Sequence, residues 1–288
     1  ESVLGAVSQI TSEDLERAGG VTNLGMALTG TLPGLVTTAS SGMPGQESPQ
    51  IVIRGQTSWN SSAPLVLIDG IERDMNAIDI SSVESVSVLK DASATAVFGV
   101  KGANGVILIT TKQGKAGRAN IRVRSNMTMK VASKLPERYD SYDALLIRNQ
   151  VIRNELLYNP NAWGGYKSLE IIDKYRNPLT TEEWDKYPNV DWVNELFKSL
   201  AMAYNTSASV SGGTNFVTYF AGVDFVTEGD LFKVVANNRG YQAGFGYNRI
   251  NARSNLDFNL TKTTKFTTRL FGSNGARKFP RSASDPWR

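Results

Sequence analysis

The stretch VESVSVLKDASATAVFGVKGANGVILITTKQGK (residues 83–115) decides the fold of the first part of the chain. Residues 83–90 alternate apolar and small polar side chains, whereas residues 105–111 form a continuous, mostly β-branched run that a sheet buries on both faces. Asp91 stands where a helix N-cap belongs, and Gly99 stands where a helix ends. The stretch therefore predicts a strand, a short helix, a glycine turn and a second strand.

The preceding residues predict more short elements of the same kind. Residues 1–10 have the composition of a strand, and a helix follows them. A second helix is expected after Asn23, because asparagine is a preferred N-cap residue. Residues 50–55 and 64–70 are apolar runs bounded by turn-forming residues, as strands are. Together these elements predict a small α+β domain over residues 1–115.

Three separated motifs in this region resemble the plug domain of SusC/RagA-type TonB-dependent outer-membrane transporters. They are QIVIRGQTSW (residues 50–59), APLVLIDGIERD (residues 63–74) and VLKDASATAVFGVKGANGVILITTKQGK (residues 88–115), in the order and at the approximate spacing of that family. One departure is Phe98, which stands where the family usually has tyrosine. The change removes a hydroxyl group but keeps the aromatic ring. The resemblance implies that residues 1–115 form a plug.

From residue 120 the pattern changes to long segments with a strict period of two. In ANIRVRSNMTMKV (residues 119–131) and RINARSNLDFNL (residues 249–260), apolar residues alternate with Arg, Asn, Asp, Thr or Lys. VTYFAGVDFV (residues 217–226) also places its apolar residues mainly on one side. Such alternation over about 10 residues is typical of transmembrane barrel strands. The predicted strands are residues 120–132, 203–212, 215–228, 243–261 and 264–275.

A soluble β-sandwich would also show alternating strands, but two features favour the barrel. The predicted strands exceed the usual length of about 5 to 6 residues, and their polar faces suit a wet lumen. The connections at residues 212–216 and 262–265 are short, whereas residues 134–202 are long enough for an extracellular loop and contain a predicted helix. The predicted fold class is an α+β plug domain followed by antiparallel transmembrane β-barrel strands. Residues 116–288 would be the N-terminal part of a barrel that is incomplete in this chain.

Composition excludes several other functions. The net charge of +4 comes from 31 basic and 27 acidic residues that are scattered along the chain, so no nucleic-acid-binding patch is expected. The absence of histidine and cysteine removes imidazole catalysis, thiol chemistry, disulfides and the usual zinc sites. No apolar run reaches the roughly 18 to 20 residues of a membrane helix. The sequence therefore predicts no enzyme, no catalytic residue, no metal site and no cofactor.

Two charged residues and one loop are the candidate functional residues. Arg54 and Glu84 stand beside strands that a barrel would enclose, where an isolated charge is costly. The resemblance implies that they latch the plug to the barrel wall, and a local salt bridge is the alternative. Trp59, Asn60 and Ser61 follow in a loop that the resemblance places on the substrate-facing side, where aromatic and amide groups suit sugars or peptides. Simple packing is the alternative there.

Other patterns have simpler explanations than a binding site. The glycine-rich residues 99–105 lack the GxxxxGK[ST] pattern of a phosphate loop and fit a turn. Asp69, Asp74 and Asp79 do not have the spacing of a calcium loop, and Asp69 with Gly70 predicts a turn. Aromatic residues of the long loop are further contact candidates, but packing explains them as well: Trp163, Tyr166, Trp184 and Trp192.

The resemblance implies a function in nutrient import. The chain would belong to an importer in the cell outer membrane that takes up an oligomeric nutrient, a glycan or else a peptide. A SusD-like surface lipoprotein, TonB and outer-membrane lipid would be its partners. Because the strands cannot close a barrel and no Ton box is visible, the chain is expected to be an N-terminal portion of a longer protein. A secreted or periplasmic β-rich binding module is the alternative, and the nutrient itself stays open.

Overall fold

In a computed structural model, two compact units are formed. The first comprises residues 1–130, 201–230 and 234–288, and the second comprises residues 131–200 and 231–233. The structure describes residues 7–17, 21, 23–39, 41–46, 48–53, 55, 63–135, 137–156, 158–234 and 244–280.

The first unit begins with a mixed α+β layer. Its strands and helices are β1 (Val7–Thr11), α1 (Ser12–Arg17), α2 (Leu24–Ala27), β2 (Val36–Thr38), β3 (Gln50–Val52), β4 (Leu65–Ile68), β5 (Ile71–Glu72), β6 (Val83–Leu89), α3 (Ala92–Thr95) and β7 (Val106–Thr111). Short 3₁₀ segments lie at Met75–Ala77, Ile80–Ser82 and Ala96–Gly102. The N-terminal sheet has the order β1-β6-β7-β4-β5, and β2 pairs with β3 beside it. In this sheet β4 and β7 are parallel and the other neighbours are antiparallel.

Apolar side chains of these short elements build one core. The fully buried residues include Leu15, Leu24, Ile78, Val86 and Ile107. β7 is buried along the face of Ile107, Ile109 and Thr111, whereas on its other face Val106 is buried, Leu108 is half-buried and Thr110 is exposed, so the prediction of a strand buried on both faces holds only at its start.

Local capping explains where two of these helices begin. The Asn23 side chain accepts a hydrogen bond from the Met26 amide (3.2 Å), which confirms it as the N-cap of α2. Asp91 is the N-cap residue of α3, as its position predicts, but its side chain makes no capping hydrogen bond. Gly99 has a positive φ of 58° inside Ala96–Gly102, where it interrupts the helical conformation.

A second, antiparallel sheet completes the first unit. Its strands are β8 (Gly117–Lys130), β9 (Ala201–Gly213), β10 (Val217–Gly229), β11 (Gly246–Asn259) and β12 (Lys265–Lys278), and each pairs with the next along the chain. We call it the meander sheet. The bounds agree with the predicted strands to within a few residues. The order β12-β11-β10-β9-β8 leaves the sheet open, so the barrel is not closed in this chain.

The meander sheet has its apolar face outward and its polar face inward. On β8, Ile121 and Val123 are 75% and 70% exposed, whereas the alternating Arg124 and Asn126 are half-buried. On β11, Ile250 is exposed between the buried polar residues Arg249 and Asn251. A water-soluble sheet has the opposite arrangement, so this pattern agrees with transmembrane barrel strands.

The second unit consists of short helices and follows β8 in the chain. Its helices are α4 (Ser141–Glu155), α5 (Leu169–Lys174), α6 (Thr181–Lys186) and α7 (Trp192–Leu196), with a 3₁₀ segment at Pro160–Gly165. Ile152 and Ile172 are buried, and the Asn149 side chain hydrogen-bonds both the amide and the carbonyl of Lys167 (3.0 and 2.6 Å). α4 confirms the helix predicted in this long segment. Of the helices described, none is both long and apolar enough to cross a membrane.

Candidate functional site

The polar face of the meander sheet contacts the N-terminal sheet. β11 presents a row of polar side chains that are at most 7% exposed: Arg249, Asn251, Arg253, Asn255 and Asp257. Several of them hydrogen-bond residues of the N-terminal layer, so the two layers are joined by polar groups. Buried polar groups require partners, and the row is therefore informative about what lies opposite it.

The strongest contact is centred on Asp69, in the turn between β4 and β5. Asp69 and Gly70 both have a positive φ (50° and 84°), as a two-residue type I′ turn requires. The Asp69 carboxylate accepts hydrogen bonds from the amide and hydroxyl of Thr111 at the end of β7 (2.9 and 2.7 Å). It also forms an ion pair with Arg253 of β11 (3.1 Å), whose side chain is 5% exposed.

Two neighbouring side chains extend this contact. The Asn255 side chain donates hydrogen bonds to the Thr111 hydroxyl (2.9 Å) and to the Lys112 carbonyl (2.8 Å). Thr111 is 1% exposed, so its hydroxyl depends on these partners. We call the group of Asp69, Thr111, Arg253 and Asn255 the Asp69 junction. It fixes the end of β7, and with it the chain leading to β8, against β11.

Further along the interface, the loop before β3 contacts three meander strands. The Gly45 amide donates to the Glu228 carboxylate of β10 (3.3 Å), and Arg277 of β12 donates to the Gly45 carbonyl. Glu228 also pairs with Lys130 of β8 (3.4 Å), and its side chain is 3% exposed. Arg249 donates to the carbonyl of Asn76. These contacts hold the segments around residues 45 and 76 against β10, β11 and β12.

Asp79 is a buried carboxylate in the same interface. Its side chain is bonded by the Ser81 amide (3.0 Å) and hydroxyl at the start of a 3₁₀ segment. Burial raises the pKa of Asp79 above its usual value, and the Arg249 guanidinium, the Asn205 side chain and the Ser81 amide oppose this shift. Asp79 and Asp224 of β10 line one small cavity, and Asp224 accepts a hydrogen bond there from Asn251 (3.1 Å). A carboxylate of the N-terminal layer and a carboxylate of the meander sheet thus lie close together.

A larger cavity of about 380 Å³ lies between the N-terminal layer and strands β8 and β9. Its lining is mainly polar and basic. The residues that line it are Ser12, Glu84, Lys112, Gln113, Lys115, Ala116, Gly117, Arg118, Asn120, Arg122, Ser209, Ser211, Gly212 and Phe220. The size falls in the range of about 300 to 1,000 Å³ that is usual for small-molecule sites.

The arrangement is suited to holding two layers together reversibly. In the described part of the chain, no group of three or more potential metal ligands is placed to bind an ion. The contacts across the interface pair hydrogen-bond donors with acceptors, although Nε and Nη2 of Arg253 and Oδ1 of Asn255 are buried without a hydrogen-bond partner among the described residues. Water can replace the less buried of these contacts when the layers separate. The site therefore has the chemistry of a docking interface.

The predicted site residues stay predictions. Glu84 lies exposed on β6 at the edge of the larger cavity, and the latch assigned to it stays a prediction. Arg54, Trp59, Asn60 and Ser61 lie outside the residues that the structure describes.

Sequence reasoning missed the Asp69 junction. The sequence predicts the turn at Asp69, which is correct for its backbone, but it does not predict the contacts of the Asp69 carboxylate. It predicts that Arg253 and Asn255 lie on the polar face of their strand, but it does not predict their partners. One signal was available: charged residues at alternate positions of a strand must be solvated or paired.

Comparison with known proteins identifies the fold. Residues 1–106 match the family model of the TonB-dependent Receptor Plug Domain. TonB-dependent receptor P26 of Formosa agariphila is 30% identical over 270 residues, which are 91% of this chain and 24% of the relative. TonB-dependent receptor SusC of Bacteroides thetaiotaomicron is 29% identical over 296 residues, which are 99% of this chain and 27% of SusC. The chain thus spans about a quarter of the length of these curated relatives.

Solved structures show the same architecture. The RagAB peptide importer in its "closed-closed" state matches 96% of this chain and 31% of the solved chain, with a TM-score of 0.74 and 25% identity. The siderophore receptor PirA of Acinetobacter baumannii matches 96% of this chain and 32% of its own, with a TM-score of 0.57 and 17% identity. The second likeness concerns the fold alone.

An α+β domain packed on the polar face of antiparallel strands, together with these relatives, defines a TonB-dependent receptor with a plug and a barrel wall. Within that class, residues 1–106 match the plug-domain family, and the chain is similar over nearly its whole length to SusC-like TonB-dependent transporters. The fold class predicted from the sequence is confirmed. From here on, the N-terminal layer is called the plug and the meander sheet is called the wall.

Proposed function

We propose that the full protein is a TonB-dependent importer of the cell outer membrane that takes up an oligomeric nutrient. The observation that carries this proposal is the polar interface between plug and wall, with the Asp69 junction at its centre. A plug held by hydrogen bonds and ion pairs can separate locally from the wall without exposing a large apolar surface, because water replaces the contacts that are lost there. If the plug closed the barrel permanently, we would expect apolar side chains to pack between plug and wall.

The cargo we propose is a glycan or oligosaccharide in the first place and a peptide in the second. Similarity to SusC supports a SusD-like surface lipoprotein as partner, and similarity to the RagAB peptide importer supports the peptide alternative. TonB would act through a segment outside the described residues. The proposed domain boundary lies at residues 115 and 116, and residues 134–202 are proposed as an extracellular loop.

Uptake by whole cells tests this function. The full-length gene is expressed together with the gene of a SusD-like lipoprotein from the same organism, and the entry of labelled oligosaccharides and labelled peptides is followed with and without TonB. We expect one cargo class to enter only when TonB and the proton gradient are present. A protein that binds a ligand in the extracellular or periplasmic fraction, and that supports no uptake, would instead be a binding module.

A further inference from the structure

We propose that cargo passes between plug and wall on the side of β8 and β9, through the 380 Å³ cavity, while the Asp69 junction keeps the plug fixed to β11. This inference rests on the proposed import function and specifies where the path opens. The two parts of the interface that are compared, the Asp69 junction and the cavity beside β8 and β9, differ in burial and in chemistry.

The junction side is costly to open. Asp69 and Arg253 are a charged pair with side chains 12% and 5% exposed, and separating them leaves each charge without its partner. The Thr111 hydroxyl and the Lys112 carbonyl would lose their bonds to Asn255 in the same step. Because these contacts share atoms, they must break together, and the junction is suited to staying closed.

The cavity side is already separated by space. Its lining includes the exposed Lys115 of the connection between β7 and β8, the exposed Arg118 at the start of β8, and Ser209 and Ser211 of β9. Widening this space displaces exposed side chains, which costs little compared with breaking a buried ion pair. The cavity is therefore the natural place for the gap to grow.

The position and lining of the cavity also fit an exit for polar cargo. It reaches Gly212, next to the short connection between β9 and β10, and short connections lie on the periplasmic side of such barrels. Hydroxyl, amide and charged groups line it. Four lining residues are basic (Lys112, Lys115, Arg118 and Arg122), and one, Glu84, is acidic. A hydrophilic oligomer with hydroxyl or carboxylate groups is the chemical class that this lining would hydrogen-bond.

Cross-links on the two sides of the plug test the proposal. The chain contains no cysteine, so introduced pairs can be linked selectively within it. The cavity pair is Glu84→Cys with Ser211→Cys, both lining the cavity. The matched pair on the other side is Arg73→Cys with Phe271→Cys, where the Arg73 guanidinium lies 5.5 Å from the Phe271 ring centre, beside the junction. Each pair is introduced into the full-length transporter and bridged with the same flexible bis-maleimide.

Two readouts are compared with the unlinked double variants. The first is TonB-dependent uptake of labelled cargo, and the second is the ion conductance that urea induces across a planar bilayer when it loosens the plug. We expect the cavity link to reduce both at least tenfold and the Arg73/Phe271 link to change either by less than twofold. A monofunctional maleimide controls for bulk, and heat-modifiability of the barrel controls for folding.

The outcomes are distinct. The path assignment is overturned if the Arg73/Phe271 link blocks conductance, or if the cavity link does not. If neither the parent protein nor any variant imports cargo, but the cavity link alone suppresses the urea-induced conductance, then the proposed import function fails, and what stands is that the plug separates from the wall on the side of β8 and β9.

Discussion

Asp69 shows how one residue connects backbone geometry to docking. Its positive φ suits an Asp-Gly hairpin turn, and the turn directs the carboxylate toward the end of β7 and toward β11. Among the described residues, it is the one non-glycine residue with a positive φ. Asparagine would adopt the same turn but could not balance the Arg253 charge. The ion pair with Arg253 therefore requires an aspartate at this position, whereas the turn alone does not.

Loss of one partner of this pair should weaken the docking of the plug strongly. Arg253→Ala leaves the Asp69 carboxylate buried without its cation, and we expect a loss of about 3 to 5 kcal/mol in the stability of the docked plug. The matched control is Lys101→Ala, because the Lys101–Glu72 pair of the plug has side chains 70% and 58% exposed and should contribute about 0 to 1 kcal/mol.

Pulse proteolysis of the full-length protein in urea measures both changes. If Arg253→Ala and Lys101→Ala lower the stability equally, the Asp69–Arg253 pair contributes no more than an exposed ion pair. Asp69→Asn combined with Arg253→Ala should cost less than the sum of the single changes, because the buried charge is then removed as well.

Asp79 gives the interface a dependence on pH with a defined sign. Burial raises its pKa in the folded state above the ordinary value of 3.8, so the folded state binds the proton more tightly than the unfolded state. The contribution of Asp79 to stability therefore falls as pH rises from 3.8 through the raised pKa, and it is most favourable at the acid end of that interval.

Asp79→Asn should remove this dependence. The amide is neutral and can still accept the Ser81 hydrogen bond at the start of the 3₁₀ segment, so the local fold is retained. We expect the variant to gain stability relative to the parent as pH rises above 3.8. Paired urea titrations across this range give the difference, and parallel pH profiles for the two proteins would refute the assignment.

Among the elements, the connection between β7 and β8 approaches the wall closely at one residue, Gly114. Gly114 packs directly on the backbone of Tyr219 in β10, and an added Cβ would overlap the Tyr219 nitrogen and oxygen. Backbone atoms in a paired strand cannot move aside easily. The glycine thus allows the chain to pass close to the wall as it leaves the plug.

Gly114→Ala should displace this connection. We expect a loss of about 1 to 3 kcal/mol in the stability of the docked plug, which is usual for overpacking. Gly42→Ala is the control, since an added Cβ at Gly42 meets nothing within 4 Å and Gly42 has no positive φ. Trypsin cleavage at Lys112 and Lys115 reports the displacement. Equal cleavage rates in the two variants would contradict the close approach.

At the scale of the whole molecule, the wall is organised with its apolar residues outward. Val123 is 70% exposed on β8, while Asn126 and Arg124 of the same strand are directed to the polar side and are half-buried. This inversion is stable only where lipid covers the outside and the plug or water covers the inside.

A lysine on each face tests this orientation in the full-length protein. Val123→Lys should cost up to about 2 to 4 kcal/mol, with smaller values near the membrane surface. Asn126→Lys places the same charge in the polar interior and should be tolerated much better. The yield of heat-modifiable barrel in vesicles and its urea midpoint measure both, and a lower midpoint for the Asn126 variant would reverse the assigned faces.

The strands and the main helices were predictable because their signals are local. Period-two alternation in residues 119–131 and 249–260 depends only on neighbouring side chains, and β8 and β11 lie where it predicts. The Asn23 cap is equally local. The Asp69 junction was not predictable, because Asp69 and Arg253 are separated by 184 residues and the pairing of its members depends on the register of two sheets.

The sequence by itself determined the elements of this protein, the two faces of its wall strands and its resemblance to SusC-like transporters, since all three are properties of short segments. Only the tertiary structure decided which polar residues meet. Arg253 could have faced water, another wall residue or the plug, and its pairing with Asp69 follows from how the plug seats against β11. A buried charge is stable only where the packed chain brings its partner, and that position is a property of the whole fold.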